Sequence, residues 1–164
     1  LAFSYSLNNF PMRTLFYLFV FLFRGKSYLK EKISKNFEVP FQKLSFNKAA
    51  FDFIREQKNR HRVVYLISGS HQTLVDQMNR HLNIFFESFG TRDDFNMVGY
   101  NKVRFIKENL KIHDFDYLGN SHKDLPIWKY TKLAIHTNAS QKLIKTIKLI
   151  VIKNKQIPAN FNKS

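Results

Sequence analysis

Arg62-Val63-Val64-Tyr65-Leu66-Ile67-Ser68-Gly69-Ser70 is the stretch on which the fold turns. Residues 62–67 form a continuous β-branched and apolar run with no polar alternation, as expected of a parallel strand covered on both faces. The run then stops abruptly at two hydroxyls and a glycine. A strand that ends in a small polar turn and is followed by a helical pattern, about Gln72 to His81, is half of a βαβ unit.

Working outward, the same alternation repeats. On the N-terminal side Asn47 is placed to cap a helix running to about Lys58, with Ala50, Phe51 and Ile54 on one face. On the C-terminal side a short Ile84-Phe85-Phe86 segment leads into a polar, irregular stretch from Gly90 to Gly99. A helix over 101–109 follows, then a strand over 115–118 ending at Gly119, a short helix from Leu125 to Lys129, and a strand over 132–136. Ser140 is placed to cap a helix across 143–147. No Asn-Gly or similar dipeptide marks a β-hairpin, so the order of elements predicts an α/β, Rossmann-like parallel sheet in three layers. Residues 47–152 are expected to be this core and 153–164 a tail or linker. Residues 1–46, with a helical pattern over 10–35 broken at Gly25, read as a helical, cap-like insertion near the N-terminus.

Composition narrows the function classes. At 164 residues with 44% hydrophobic content the chain is one ordinary domain. It has no cysteine, which excludes disulfides and thiolate metal sites and agrees with a cytoplasmic location. The formal charge of +15 invites a nucleic-acid hypothesis, but the cations are spread along the chain, which speaks against a dedicated phosphate-backbone surface. The apolar run Leu15 to Phe23, flanked by Arg13 and Arg24, is well short of the ~20 residues that cross a bilayer, and no small-residue cleavage site follows it. It suits a buried helix or one lying at a membrane surface. The six histidines show no His-x-x-x-His spacing, which disfavours a histidine-based metal nuclease.

In open α/β sheets ligands bind at the carboxyl ends of the strands. The residues there are Ser68-Gly69-Ser70, whose hydroxyl and backbone N–H groups suit an anion at a helix start, and Gly119-Asn120-Ser121-His122-Lys123-Asp124, a carboxamide and a carboxylate four residues apart at a turn. Oxygen ligands on such a turn suit a hard cation such as Mg; the alternative is a helix cap with a solvent-facing Asp. Lys102 lies between the two loops in sequence, with an ammonium suited to balancing phosphate charge.

Taken in order, Ser68, Lys102 and Gly119-Asn120-x-x-x-Asp124 resemble the second, third and fourth motifs of the haloacid dehalogenase (HAD) superfamily. More narrowly, the chain is similar to the HAD-type domain that precedes UbiA-type membrane prenyltransferases in bacterial fusion proteins. The similarity rests on Arg24-Gly25-Lys26, Ser68-Gly69-Ser70, Asn96-Met97-Val98-Gly99-Tyr100-Asn101-Lys102 and Asn120-Ser121-His122-Lys123-Asp124-Leu125-Pro126-Ile127-Trp128, and spans about residues 7–138.

The resemblance implies a phosphatase-type hydrolase acting on a phosphorylated small molecule. Ser68 and Gly69 would bind the phosphoryl oxygens, Lys102 would bind phosphate and neutralise charge, and Asn120 and Asp124 would hold Mg. Two departures stand out. Asn120 occupies a position where the superfamily usually has Asp, which weakens the metal site. The apolar strand with Asp-x-Asp-Gly-Thr, source of the nucleophile and the acid/base in that superfamily, does not occur in this sequence. The chain begins with Leu rather than Met, and the expectation is a fold whose first strand is missing from this sequence and a site that is inactive as given. The alternative is a non-catalytic binding or regulatory domain, associated with a membrane prenyltransferase or the membrane surface.

Overall fold

The computed structural model describes residues 47–158. The cap-like segment 1–46 with its helical pattern over 10–35, and the end of the chain from 159, lie outside the described residues. The elements are α1 (Lys48–Asn59), β1 (Tyr65–His71), α2 (Gln72–Leu82), β2 (Glu87–Thr91), α3 (Tyr100–Arg104), β3 (Asp116–Gly119), α4 (Leu125–Trp128), β4 (Leu133–Thr137), α5 (Gln141–Ile150) and β5 (Asn154–Ile157). Strand and helix alternate, and every strand ladder is parallel. The protein is an α/β, Rossmann-like fold with helices on both faces of its strands.

Local chemistry explains most of the boundaries. Asn47 caps α1 by accepting from the Ala50 N–H at 3.2 Å, and its amide donates to Thr137 Oγ1 at 2.7 Å, which ties the helix start to the end of β4. Ser140 caps α5 in the same way, accepting from Leu143 N at 3.2 Å. The face of α5 that meets the sheet places Leu143 and Ile147 against Ala134 and Trp128, and the Trp128 indole N–H donates to the Tyr117 carbonyl at 3.1 Å. A second cluster joins Val103 and Ile106 to Ile127, with Ile67, Phe115 and Tyr117 packed on it. Each large side chain buried this way contributes about 1.5–3 kcal/mol.

Three features depart from the sequence reading. Each expected strand begins and ends later than its apolar run, β1 at 65–71 rather than 62–67, because pairing with β2 starts at Tyr65 and resumes at His71 beyond a bulge. β2 lies partly in what reads as an irregular loop. And β5 continues the core into 154–157, where a tail beginning at 153 was expected; its main chain pairs with β4 although Asn154, Lys155 and Gln156 are exposed.

The ladders form two groups, β2-β1 and β3-β4-β5, and no described ladder joins β1 to β3. The two groups nevertheless sit side by side. Arg62, just before β1, pairs with Asp116 at the start of β3 at 2.8 Å, and Ile67 of β1 and Tyr117 of β3 pack on the same Val103–Ile106–Ile127 cluster. Their N-terminal ends are thus neighbours and they run the same way. β4, flanked on both sides, has three consecutive buried residues, whereas β3 has none and β1 only Ser70.

His136, on β4, is 1% exposed, and its Nδ1 has no hydrogen-bond partner among the described residues. Burial, and after it the nearby Lys148 ammonium, holds its pKa below the ordinary imidazole value. The unfolded imidazole takes up a proton near pH ~6.5, while the folded one resists until lower pH. Between those values the unfolded state binds more protons, so stability must fall as pH falls from about 6.5. Urea titrations at pH 5 and 7.5 should show a larger drop in midpoint for the wild type than for His136→Gln; equal drops would mean that the imidazole is not buried.

Candidate functional site

The site is built where β1 and β3 end. After Ile67 the chain bulges, since Ile67 pairs with Phe89 but His71 with Thr91, so four steps on β1 match two on β2. A bulge re-aims the side chains it carries. Ser68 Oγ and Ser70 Oγ are 2.6 Å apart, and Ser68 Oγ also accepts from Ser70 N at 3.2 Å. The helix that follows is capped by His71, whose Nδ1 accepts from Thr73 N at 3.4 Å, so neither serine serves as its N-cap. Gly69 lies directly under the loop that leads to α3: a Cβ there would be 2.9 Å from a Val98 methyl. Thr91 fixes this contact by donating to the Gly69 carbonyl at 2.9 Å and accepting from Met97 N at 3.1 Å. Lys102 is four residues further on, in α3, just before the helix widens into a π turn over 105–109. Single π turns of this kind often lie beside functional residues.

Lys102 points inward and is 8% exposed. Its ammonium donates to the Tyr117 hydroxyl at 2.9 Å and lies 3.8 Å from Asp124 Oδ1; the Tyr117 hydroxyl in turn donates to Asp124 Oδ1 at 3.0 Å. Asp124 Oδ2 accepts from Asn120 N at 3.1 Å, Ser121 N at 3.0 Å and Ser121 Oγ at 3.3 Å, closing a capping box with Ser121. Gly119 is required here: a Cβ would be 2.8 Å from Asp124 Oδ2 and 2.9 Å from the Tyr117 ring. Burial lowers the Lys102 pKa, and the Asp124 carboxylate opposes that shift. Burial, reinforced by Asp124, holds the Tyr117 pKa well above its usual value, so the hydroxyl remains a donor to the carboxylate.

Of the residues singled out from the sequence, Lys102 and Asp124 are thus brought together through Tyr117. Asn120 joins them through its backbone N–H, while the residue as a whole is exposed. Ser68 and Gly69 share the same end of the strands and the 96–99 loop with Lys102, and no described contact links them to Asp124. Ser68 and Asn120 follow strands that are not ladder neighbours, because β1 and β3 do not pair. Tyr117 was not legible as a site residue. Its one signal was a phenol in an apolar strand, which must find a polar partner once buried.

A magnesium ion does not fit the described residues alone. Mg asks for near-octahedral oxygen ligation, usually with carboxylates and phosphate oxygens. Among the described residues no group of three His, Cys, Asp or Glu could hold a metal. The one carboxylate at the site already accepts four hydrogen bonds and faces an ammonium. The chemistry on offer is that of an anion site. Lys102 spends one of its three N–H donors on Tyr117, and the serine hydroxyls lie at the same end of the strands.

No family model matches the chain. Over 113 residues, 69% of its length, it is 30% identical to the uncharacterised protein y4nM of Sinorhizobium fredii (strain NBRC 101917 / NGR234), and it spans 22% of that relative. Among solved structures, a substrate-bound phosphoserine phosphatase complex is similar with a TM-score of 0.49 and 19% identity, over 77% of this chain and 69% of that one.

Proposed function

We propose that this chain is a HAD-type domain whose described residues form the phosphate-binding part of a phosphomonoesterase site, without the group that would perform hydrolysis. One observation carries the reading: a buried lysine, held by Tyr117 and Asp124, sits at the carboxyl end of two parallel half-sheets that no described ladder joins. A strand joining them would end beside Ser68, Lys102 and Asn120, where a carboxylate nucleophile would meet a bound phosphoryl group. The order of the motifs in the sequence supports the same arrangement.

In this reading Ser68 and the Gly69 N–H bind phosphoryl oxygens, and Lys102 neutralises their charge. Tyr117 and Asp124 hold the ammonium in place, since phosphoryl transfer depends mainly on positioning and charge stabilisation. The ligand is the phosphate group of a small phosphorylated molecule. The magnesium expected from the resemblance would need carboxylates beyond those described, and no step is assigned to it. A domain that binds without catalysing is the second reading, favoured by the lack of any Asp-x-Asp-Gly-Thr in the chain. The association with a membrane prenyltransferase comes from the resemblance alone.

The test is calorimetric titration with inorganic phosphate. Saturable binding is expected, weakened about tenfold or more in Ser68→Ala, the loss of about one charge-assisted hydrogen bond, and abolished in Lys102→Met. Phosphate that does not bind, or binds Lys102→Met equally well, overturns the reading.

A further inference from the structure

The structure assigns a second surface, at the opposite end of the strands from the site: we infer that the N-terminal strand end docks on an anionic lipid bilayer. This inference is independent of the phosphate-binding reading. It begins with the side chains that folding leaves uncovered. Six large hydrophobic residues are exposed among the described residues, and four of them, Val63, Phe86, Leu149 and Ile152, lie at one end. Val63 and Phe86 enter β1 and β2, and Leu149 and Ile152 close α5 and enter β5. Because all strands run the same way, every such entry lies at the same end. The exposures are not marginal: 63% for Val63, 67% for Phe86, 86% for Leu149 and 100% for Ile152. The other two, Tyr100 and Tyr130, lie against each other with ring centroids 6.4 Å apart.

Charge divides the same way. The segments that make up the strand-entry end, 58–62, 80–87, 107–116, 129–132 and 148–153, carry ten Lys and Arg against four Asp and Glu. The segments at the site end, 47–52, 68–76, 91–102, 119–125 and 137–142, carry five of each. Three of the four acids at the strand-entry end face cations within that end or beside it: Asp116 pairs with Arg62 at 2.8 Å, Asp114 with Lys132 at 2.9 Å and Glu108 with Arg104 at 3.5 Å. The excess cations are left for an external partner.

Apolar side chains standing among cations match a surface that is itself anionic outside and apolar just beneath, which is the headgroup region of an acidic bilayer. A second copy of the chain does not match, since it would bring two cationic faces together. Nucleic acid would satisfy the charge but not the aliphatic side chains, as single-stranded nucleic acid is held by aromatic stacking and duplexes by groove and phosphate contacts. A domain docked this way holds Ser68, Lys102 and Asp124 facing away from the membrane, open to a water-soluble phosphate.

The experiment is co-flotation of the full chain with vesicles of phosphatidylcholine alone or of equal parts phosphatidylcholine and phosphatidylglycerol. Flotation is expected only with the acidic vesicles, and is expected to fall steeply in high salt, where surface charges are screened. Leu149→Glu combined with Ile152→Glu should weaken it about tenfold or more, roughly the loss of two inserted aliphatic chains, and Val63→Glu should weaken it less. These positions are exposed, so circular dichroism should show the fold intact. A variant of Lys142, at the site end, should float like the wild type. Flotation that survives Leu149→Glu with Ile152→Glu overturns the inference, as does equal flotation with neutral vesicles. Displacement of the protein from acidic vesicles by a duplex RNA would point to nucleic acid instead. A dimer in solution that the same double substitution dissolves, without acidic flotation, would point to a second copy.

Discussion

Asp124→Ala is expected to cost about 3–5 kcal/mol of folding stability, the range found when one partner of a buried ion pair is removed. The carboxylate is 7% exposed and is the shared acceptor of Tyr117, Asn120 N, Ser121 N and the Ser121 hydroxyl, with the Lys102 ammonium 3.8 Å away. Removing it strands a buried ammonium whose protonation is already disfavoured by burial, and opens the capping turn after β3. Tyr117→Phe removes only the bridging hydroxyl and should cost about 1–2 kcal/mol. The double variant Asp124→Ala with Lys102→Met should recover part of the loss, because no charge is then left without a partner. Thermal melts decide it. On a domain of this size the single Asp124→Ala change corresponds to a melting temperature lower by roughly 10 °C or more. A drop of only a degree or two would mean that Asp124 faces solvent, and the three-residue network would have to be abandoned.

How much of this was readable in the sequence depends on what holds each element. β1, β3 and β4 are specified by their own apolar residues, so runs of Val, Ile, Leu and Tyr announced them. The caps Asn47 and Ser140 were readable because a short polar side chain has one good use at the start of an apolar helix. β2 and β5 have no such signature. Glu87-Ser88-Phe89-Gly90-Thr91 and Asn154-Lys155-Gln156-Ile157 are held mainly by main-chain bonds to one neighbour and pack on neither of the two core clusters, unlike β1 and β3. Their side chains are free to be polar, and hydropathy reads them as loop or tail. The bulge after Ile67 was hidden for a similar reason: it is a property of pairing with β2, and it moved the helix cap from the serines to His71.

The site was legible in its types and spacing but not in its wiring. Lys102 and the Asn120 to Asp124 turn stood out through the order of the motifs, since a lone lysine is usually solvated and a strand-end Asp is usually a helix cap. Their connection through Tyr117 could not be read, because a tyrosine in an apolar strand looks like any other large β-former until its hydroxyl is placed. The commitment of Asp124 to the turn was equally invisible: four acceptor contacts turn an apparent metal ligand into a structural capping residue, and sequence spacing alone does not distinguish the two.

The largest expected effect concerns hydrolysis. The chain as written is expected to show no turnover of p-nitrophenyl phosphate or of a panel of phosphomonoesters, with or without Mg. Lys102 and Ser68 can bind the phosphate group, but binding that stabilises substrate and transition state alike does not accelerate the chemical step. Acceleration by covalent catalysis needs a nucleophile aimed at phosphorus and a partner to protonate the leaving oxygen. The described carboxylate nearest the site, Asp124, is held by Tyr117 and the 120–121 turn and is not free for either task. A longer chain bearing an apolar strand that ends in Asp-x-Asp-Gly-Thr ahead of residue 1 should behave differently. That strand would pair with the facing edges of β1 and β3, place its first carboxylate between Ser68 and Lys102, and add the ligands that a magnesium ion lacks among the described residues. Turnover should rise from undetectable to readily measurable, since uncatalysed phosphomonoester hydrolysis is so slow that enzymes of this kind gain many orders of magnitude, up to ~10²¹. The same extension should raise the melting temperature, because two exposed strand edges become paired. Replacing the first Asp of the added motif by Asn should remove the turnover and leave the added stability. Robust turnover by the 164-residue chain, lost in Ser68→Ala, would show that a group within it supplies the nucleophile, and the strand position between β1 and β3 would then have no part in the chemistry.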